Sequence, residues 1–166
     1  QYVRALKQRN VLLKRKAHVK TILPWNRELS LLGEEIDQLR QNIIPSLVYE
    51  IKKNFINLEF DLEFEIIYRR GWNKQLSLFE VYQSSYETDI KTGSTQSGPH
   101  RADFLITCNE KNVKHILSNG QIKMTSVAMK LGQVDLLIKN KITPLILVDD
   151  ITSELDKNNS EVVLNN

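Results

Sequence analysis

Two adjacent carboxylates, Asp149 and Asp150, close an apolar run in PLILVDD, and Ser153-Glu154-Leu155-Asp156 follows at once. An apolar strand that ends in acids can hold a magnesium ion at the edge of a buried sheet, while a second acid orients an attacking water. Successive side chains of a strand diverge, so the two carboxylates need not share one role. Upstream, Leu117-Ser118-Asn119-Gly120-Gln121 opens a stretch with helical apolar spacing. A helix starting there offers unpaired backbone N–H groups and the positive end of its dipole to an anion, a dipole effect of roughly 0.3–2 kcal/mol. Gly120 leaves space for close approach. The combined chemistry is that of a nucleotide site. The glycine-rich phosphate loop, G-x-x-x-x-G-K-[ST], is not among these residues. Taken alone, an apolar run before two acids also fits a strand that ends in a solvated turn.

A second chemistry lies in the first twenty residues. They carry Arg4, Lys7, Arg9, Lys14, Arg15, Lys16 and Lys20 and no acid. Such a block reads either as a face that displaces counterions from nucleic-acid phosphates or as a solvated helix face. His18, His100 and His115 show no metal-ligand spacing, and the single cysteine, Cys108, reads as a structural thiol. Glu59, Asp61, Glu63 and Glu65 form an acidic ladder, so nucleic acid is expected on another side.

Elements that position these groups follow from periodicity. Val3, Leu6, Asn10, Leu13 and Ala17 predict a helix with a coiled-coil-like stripe. Pro24-Trp25-Asn26 is expected to break it, with Asn26 capping a second helix. There Leu32, Ile36, Leu39, Ile43, Leu47, Ile51 and Phe55 form a longer stripe, with a kink expected at Pro45. The two make an antiparallel hairpin. Strict alternation from Leu58 to Tyr68 predicts a half-buried strand, ended by Gly71-Trp72-Asn73. A helix is expected over Lys74–Asp89 with Leu76, Phe79 and Tyr82 or Gln83 inward, then a loop over Lys91–Gly98. A partner strand is expected over Arg101–Thr107. Met124, Ala128, Leu131, Val134 or Asp135, and Ile138 mark the inner face of a helix from Gln121 to about Asn140. Leu145–Val148 reads as a central strand covered on both faces.

With 41% hydrophobic and 26% charged residues and a net charge of +3, the composition is that of an ordinary globular chain. No apolar run has the length of a membrane span. One cysteine excludes an intrachain disulfide and fits a reducing, cytoplasmic compartment. The start at Gln1 suggests a piece of a longer protein.

The order LSNGQ, helix, apolar strand with two acids, then SELD resembles that of the ABC-type ATPases. Gly98-Pro99-His100-Arg101-Ala102-Asp103 ahead of it, with RALKQRNVLLK at the N-terminus, narrows the resemblance to the RecF family. That resemblance covers essentially the whole chain. It implies an α/β fold: a helical lever hairpin over residues 1–56 and part of an ABC-type ATPase head over residues 57–166. It also implies ATP and Mg2+ as cofactors, an ATP-dependent homodimer, double-stranded DNA as ligand, and help in loading RecA together with RecO and RecR, without a membrane. Ser118, Asn119, Gly120 and Gln121 would be the signature that faces the partner subunit's ATP. Asp149 would be the magnesium acid and Asp150 the group that orients water. Ser153 and Asp156 would belong to the loop that crosses the dimer interface.

The phosphate loop would lie before Gln1. The intact protein would then be a weak ATPase, and these residues alone inactive. Three positions depart from the family pattern: Asn119 where Arg is common, Asp150 where most ABC proteins have Glu, and Asn158-Asn159 where a basic residue is common. The other readings are a non-catalytic DNA- or protein-binding module, and a different SMC-like ATPase.

Overall fold

A computed structural model of the chain describes residues 1–58 and 63–147. The elements run α1 (Tyr2–Lys14), α2 (Val19–Asn57), β1 (Phe64–Arg69), α3 (Leu78–Ser84), α4 (Tyr86–Thr92), β2 (Asp103–Cys108), β3 (Lys111–Asn112) and α5 (Asn119–Lys139), with 3-10 turns at Pro99–Arg101 and Val113–His115. The class is α/β, as the resemblance implies. The strands form a sheet in the order β1-β2-β3, so the second strand does neighbour the first. β2 and β3 are antiparallel, with Thr107 opposite Asn112 and Cys108 opposite Lys111. Asn109 and Glu110 both have positive φ, at 48° and 62°, the geometry of a two-residue turn whose twist suits a hairpin.

The chain divides into two compact units, Gln1–Asn42 with Tyr68–Phe104, and Ile43–Ile67 with the described residues from Leu105 onward. In the first unit α1 folds back on the start of α2. Ala5, Leu29, Leu78 and Tyr82 form its apolar centre, with Trp25 and Trp72 packed against it. In the second, Ile51, Phe55, Phe64, Ile106, Met124 and Ala128 share a core, and the rings of Phe55 and Phe64 stack at 4.3 Å.

Several expectations are corrected. The inward face of α1 is Tyr2, Ala5, Arg9 and Leu13, one residue out of phase with the apolar stripe, and Val3 is 61% exposed. The phase shifts because Arg9 finds polar partners inside. The break expected at Pro24-Trp25-Asn26 is absent, because the second helix starts at Val19 and runs through these residues. A proline near the start of a helix removes a single rung, which neighbouring packing can offset. Asn26 does not cap it but lies buried within it. The cap is His18, whose Nδ1 accepts the Lys20 N–H at 3.3 Å.

The expected helix over Lys74–Asp89 is two short helices, α3 and α4, parted at Ser85 (φ −86°, ψ 0°). Ser77 and Glu80 close a capping box that sets the start at Leu78 rather than Lys74. Leu78, Val81 and Tyr82 point inward, and Leu76 stays outside. Residues 142–147 form no strand, and Leu145 and Leu147 are each 86% exposed. A central strand requires hydrogen-bonded neighbours, and residues 142–147 are not part of the β1-β2-β3 sheet.

Candidate functional site

The turn at Leu117–Gln121 is built from a short, well-tied approach. The Asn112 side-chain oxygen accepts the Lys114 N–H at 3.0 Å, and the Leu117 N–H donates to the Val113 carbonyl at 3.0 Å. Leu117 packs against the second unit's core, so the chain is anchored one residue before Ser118. Ser118 then adopts φ −64° and ψ 161° as the N-cap of α5. Its Oγ accepts the Gln121 N–H at 3.3 Å, and Gln121 Oε1 accepts the Ser118 N–H at 2.9 Å. This reciprocal capping box fixes the Ser118 hydroxyl through its lone pair and leaves its hydrogen to point away from the helix. The N–H groups of Asn119 and Gly120 have no partner within the helix. Residues 118–121 are all exposed.

Gly120 stands in open space. A Cβ there would meet only Ser118 Oγ, at 4.0 Å. Nothing among the described residues requires glycine at this point, although glycine in a helix costs up to about 1 kcal/mol relative to alanine. Gly132 differs. A Cβ there would come 2.6 Å from Ile51 Cγ1 and 2.8 Å from the Ile51 Cα and N, so α5 and the end of α2 touch nearly backbone to backbone. Asn54 donates to Asp135 Oδ2 at 2.7 Å and Lys139 Nζ lies 3.1 Å from Glu50 Oε1, closing the same seam. The inner face of α5 is therefore Met124, Thr125, Ala128 and Gly132. Leu131 is only partly buried, and Ile138 is 57% exposed. The small residues bring the helices too close for a leucine stripe.

Asp149, Asp150, Ser153 and Asp156 lie outside the described residues. Among the described residues no group of three or more His, Cys, Asp or Glu side chains could hold a metal ion. No helix among them is long and apolar enough to cross a membrane.

Of the seven N-terminal cations, Arg4, Lys7, Lys14, Arg15, Lys16 and Lys20 are exposed. Arg9 is the correction: it is fully buried and cannot reach a phosphate. Its Nε donates to Asn26 Oδ1 at 2.7 Å, and its Nη1 donates to Asp89 Oδ2 at 2.8 Å and Thr95 Oγ1 at 2.7 Å. Its guanidinium lies 4.7 Å over the Tyr82 ring, while Nη2 is buried without a partner among the described residues. Sequence reasoning missed this network. The available signal was a charge in helical phase with Tyr2, Ala5 and Leu13.

The GPHRAD segment is a packed corner. Gly98 has φ 127°, and a Cβ on it would lie 2.7 Å from the Tyr82 hydroxyl and 2.8 Å from that of Tyr2, so no other residue fits. Arg40 Nη1 donates to the Pro99 carbonyl at 2.7 Å. His100 Nε2 lies 3.0 Å from the Thr95 carbonyl and Nδ1 lies 2.8 Å from the Tyr2 hydroxyl. A carbonyl only accepts, so Nε2 carries the proton and Nδ1 receives the Tyr2 O–H. Burial of the ring pushes the His100 pKa below its ordinary range, although the bond to Thr95 opposes the shift. Burial likewise raises the Tyr2 and Tyr82 phenols.

No protein-family model matches the chain. It is similar to the DNA replication and repair protein RecF of Coxiella burnetii (strain CbuK_Q154), 40% identical over 167 residues that cover 97% of this chain and 45% of that protein. It is 37% identical over 164 residues to the RecF of Shewanella denitrificans, with the same coverage of each. The chain thus spans a little under half the length of the curated relatives it matches. Among solved structures it superposes on the recombination mediator protein RecF–ATP in the RecFOR pathway with a TM-score of 0.80 at 29% identity, over 99% of this chain and 48% of that one. Likeness in sequence and in fold runs over the same residues, and on that basis the chain belongs to the RecF family.

Proposed function

We propose that this chain supplies the signature and helical arm of an ATP-gated, dimeric DNA-binding protein of recombinational repair. In this reading the arm ends near residue 56 and the head follows. The observation that carries the proposal is the Ser118–Gln121 capping box beside an unhindered Gly120. The box orients a hydroxyl, two N–H groups face outward with it, and the glycine clears their approach. A γ-phosphate held by the partner subunit has the charge and size for that arrangement. Asn119 adds no charge, so recognition there rests on neutral donors.

The chemistry of hydrolysis falls to residues beyond the described structure. Asp149 would hold magnesium, which supplies charge neutralisation at the phosphates when bound. Asp150 would orient water, and Ser153 and Asp156 would meet the partner subunit. Double-stranded DNA, RecO- and RecR-type partners, assistance to RecA and a cytoplasmic location complete the proposal by family likeness.

The test uses the full-length protein. Sedimentation with and without ATP should show a nucleotide-dependent dimer for wild type and a monomer for Ser118→Arg, while ATP binding to each subunit persists. An S118R protein that dimerises as readily as wild type sinks the assignment.

A further inference from the structure

The tip of the α1–α2 hairpin gathers Lys14, Arg15, Lys16 and Lys20, all exposed. Lys91 joins them from the last turn of α4, because a Cβ on Gly93, two residues further, would lie 3.2 Å from Lys14 Cγ. None of these cations pairs with a carboxylate among the described residues. Asp89, on the same short helix as Lys91, is buried against Arg9.

Two of the cations stand where local physics disfavours them. Helix α1 ends with the Ala17 N–H donating to the Leu12 carbonyl at 3.0 Å and the Lys16 N–H to that of Leu13 at 2.9 Å. This double bond pattern puts Lys16 at φ 50°, a left-handed position normally given to Gly or Asn because a side chain there costs roughly 1–2 kcal/mol. Lys20 lies in the first turn of α2, at the positive end of the dipole, and no acid accompanies it there. Lys14, Arg15 and the charge of Lys16 have an ordinary explanation at the negative end of α1, but that explanation covers neither the positive φ of Lys16 nor Lys20. Two broken rules at one exposed place point to compensation from outside the chain.

The chemistry of the tip selects the partner. Between Lys14 and Lys20 the apolar residues are Ala17 and Val19, too little for the buried anchor of a protein interface or for insertion into lipid. The neighbouring aromatic, Tyr86, is half-buried with its hydroxyl donated to the Ala17 carbonyl at 3.0 Å, and so is not free to stack on a base. What remains is an array of bare cations, suited to backbone phosphates irrespective of sequence.

We propose that the hairpin tip, with Lys91 beside it, is a phosphate-backbone contact for duplex DNA; this rests on the DNA-binding reading above. The test is Lys16→Gly with Lys20→Glu in the full-length protein. Each change relieves a local conflict, so the melting temperature should rise. Affinity for a random duplex should fall at the same time, and the slope of log K against log salt should become shallower by about 0.9 per contact, about 1.8 for the pair. Lys74→Gln, which removes an exposed loop charge, should leave both slope and affinity as in wild type. If wild type binds duplex and the double variant matches its affinity and slope, the tip assignment is overturned while the DNA-binding reading stands. If wild type binds no duplex, both fail. A fall in melting temperature overturns the argument from local conflict.

Discussion

Arg9 Nη1 lies 2.8 Å from Asp89 Oδ2, and neither side chain has any exposure to solvent. The two residues stand on α1 and α4, and Arg9 Nη1 also donates to Thr95 Oγ1, while Thr95 donates its N–H and its hydroxyl to Asn10 Oδ1 at 2.9 and 2.7 Å. Asp89 Oδ1 takes the Gln96 N–H at 3.1 Å. Charge, hydroxyl and amide thus answer one another in an interior where an unmatched member would be costly.

Removing one partner of this pair should therefore be severe. Arg9→Met is expected to cost about 3–5 kcal/mol, because Asp89 would remain buried and uncompensated. Arg9→Met with Asp89→Leu should recover much of that loss. Urea unfolding of the three proteins decides it. A double variant no better than the single one would mean that the hydrogen bonds to Asn26 and Thr95, rather than the charges, dominate.

The two glycines of α5 should respond oppositely to alanine. Gly132→Ala brings a methyl within 2.6–2.8 Å of Ile51, and the overpacking should cost about 1–3 kcal/mol. Gly120→Ala would meet only Ser118 Oγ, at 4.0 Å, among the described residues and should gain up to about 1 kcal/mol from helix propensity. It should nonetheless weaken ATP-dependent dimerisation. Equal stability effects at the two positions would contradict the close α2–α5 seam.

Stability should depend on pH through His100. Burial lowers its pKa below the ordinary 6.5, so the unfolded chain binds the proton more readily than the folded one. The stabilisation is complete above pH 6.5 and declines as pH falls through the folded pKa. His100→Gln can still donate to the Thr95 carbonyl and should flatten the stability profile on the acid side. Thermal melts from pH 7.5 down to pH 5 would reveal it. Profiles that superimpose for the two proteins would rule out His100 as the source.

In the full-length protein, Asp150→Asn should slow ATP turnover by about a hundredfold or more, in the range of a lost water-orienting base, and should leave the ATP-dependent dimer intact. Residues 1–166 alone should show no ATPase activity. Single-turnover hydrolysis and sedimentation separate the two effects, and normal turnover by D150N would remove Asp150 from the mechanism.

The parts of the molecule that were legible in the sequence are those whose physics is local. Ser118 and Gln121 cap one another three residues apart, and the alternation around Phe64 needs no distant information to predict β1. The inward phase of α1 was hidden because Arg9 is stabilised by Asp89, eighty residues further along. Pro24 looked like a break because its cost is local while the packing of Ile22 and Leu29 that offsets it is not. The division of Leu78–Thr92 into two helices is not legible in the sequence because the inward residues, Leu78, Val81, Tyr82 and Asp89, keep one helical phase across Ser85. An apolar run at 142–147 could not disclose that it stands apart from the three-stranded sheet.

The buried ion pair has a consequence for alignment rather than strength. Sliding α1 by one turn in either direction would bring Ala5 or Leu13 opposite Asp89 and strand its carboxylate in an apolar interior. A seam of Ala and Leu alone would accept such a slip with little penalty. With Arg9 in it, one seating of the helix is satisfied and the adjacent ones are not, so the pair works as an index mark that admits a single register.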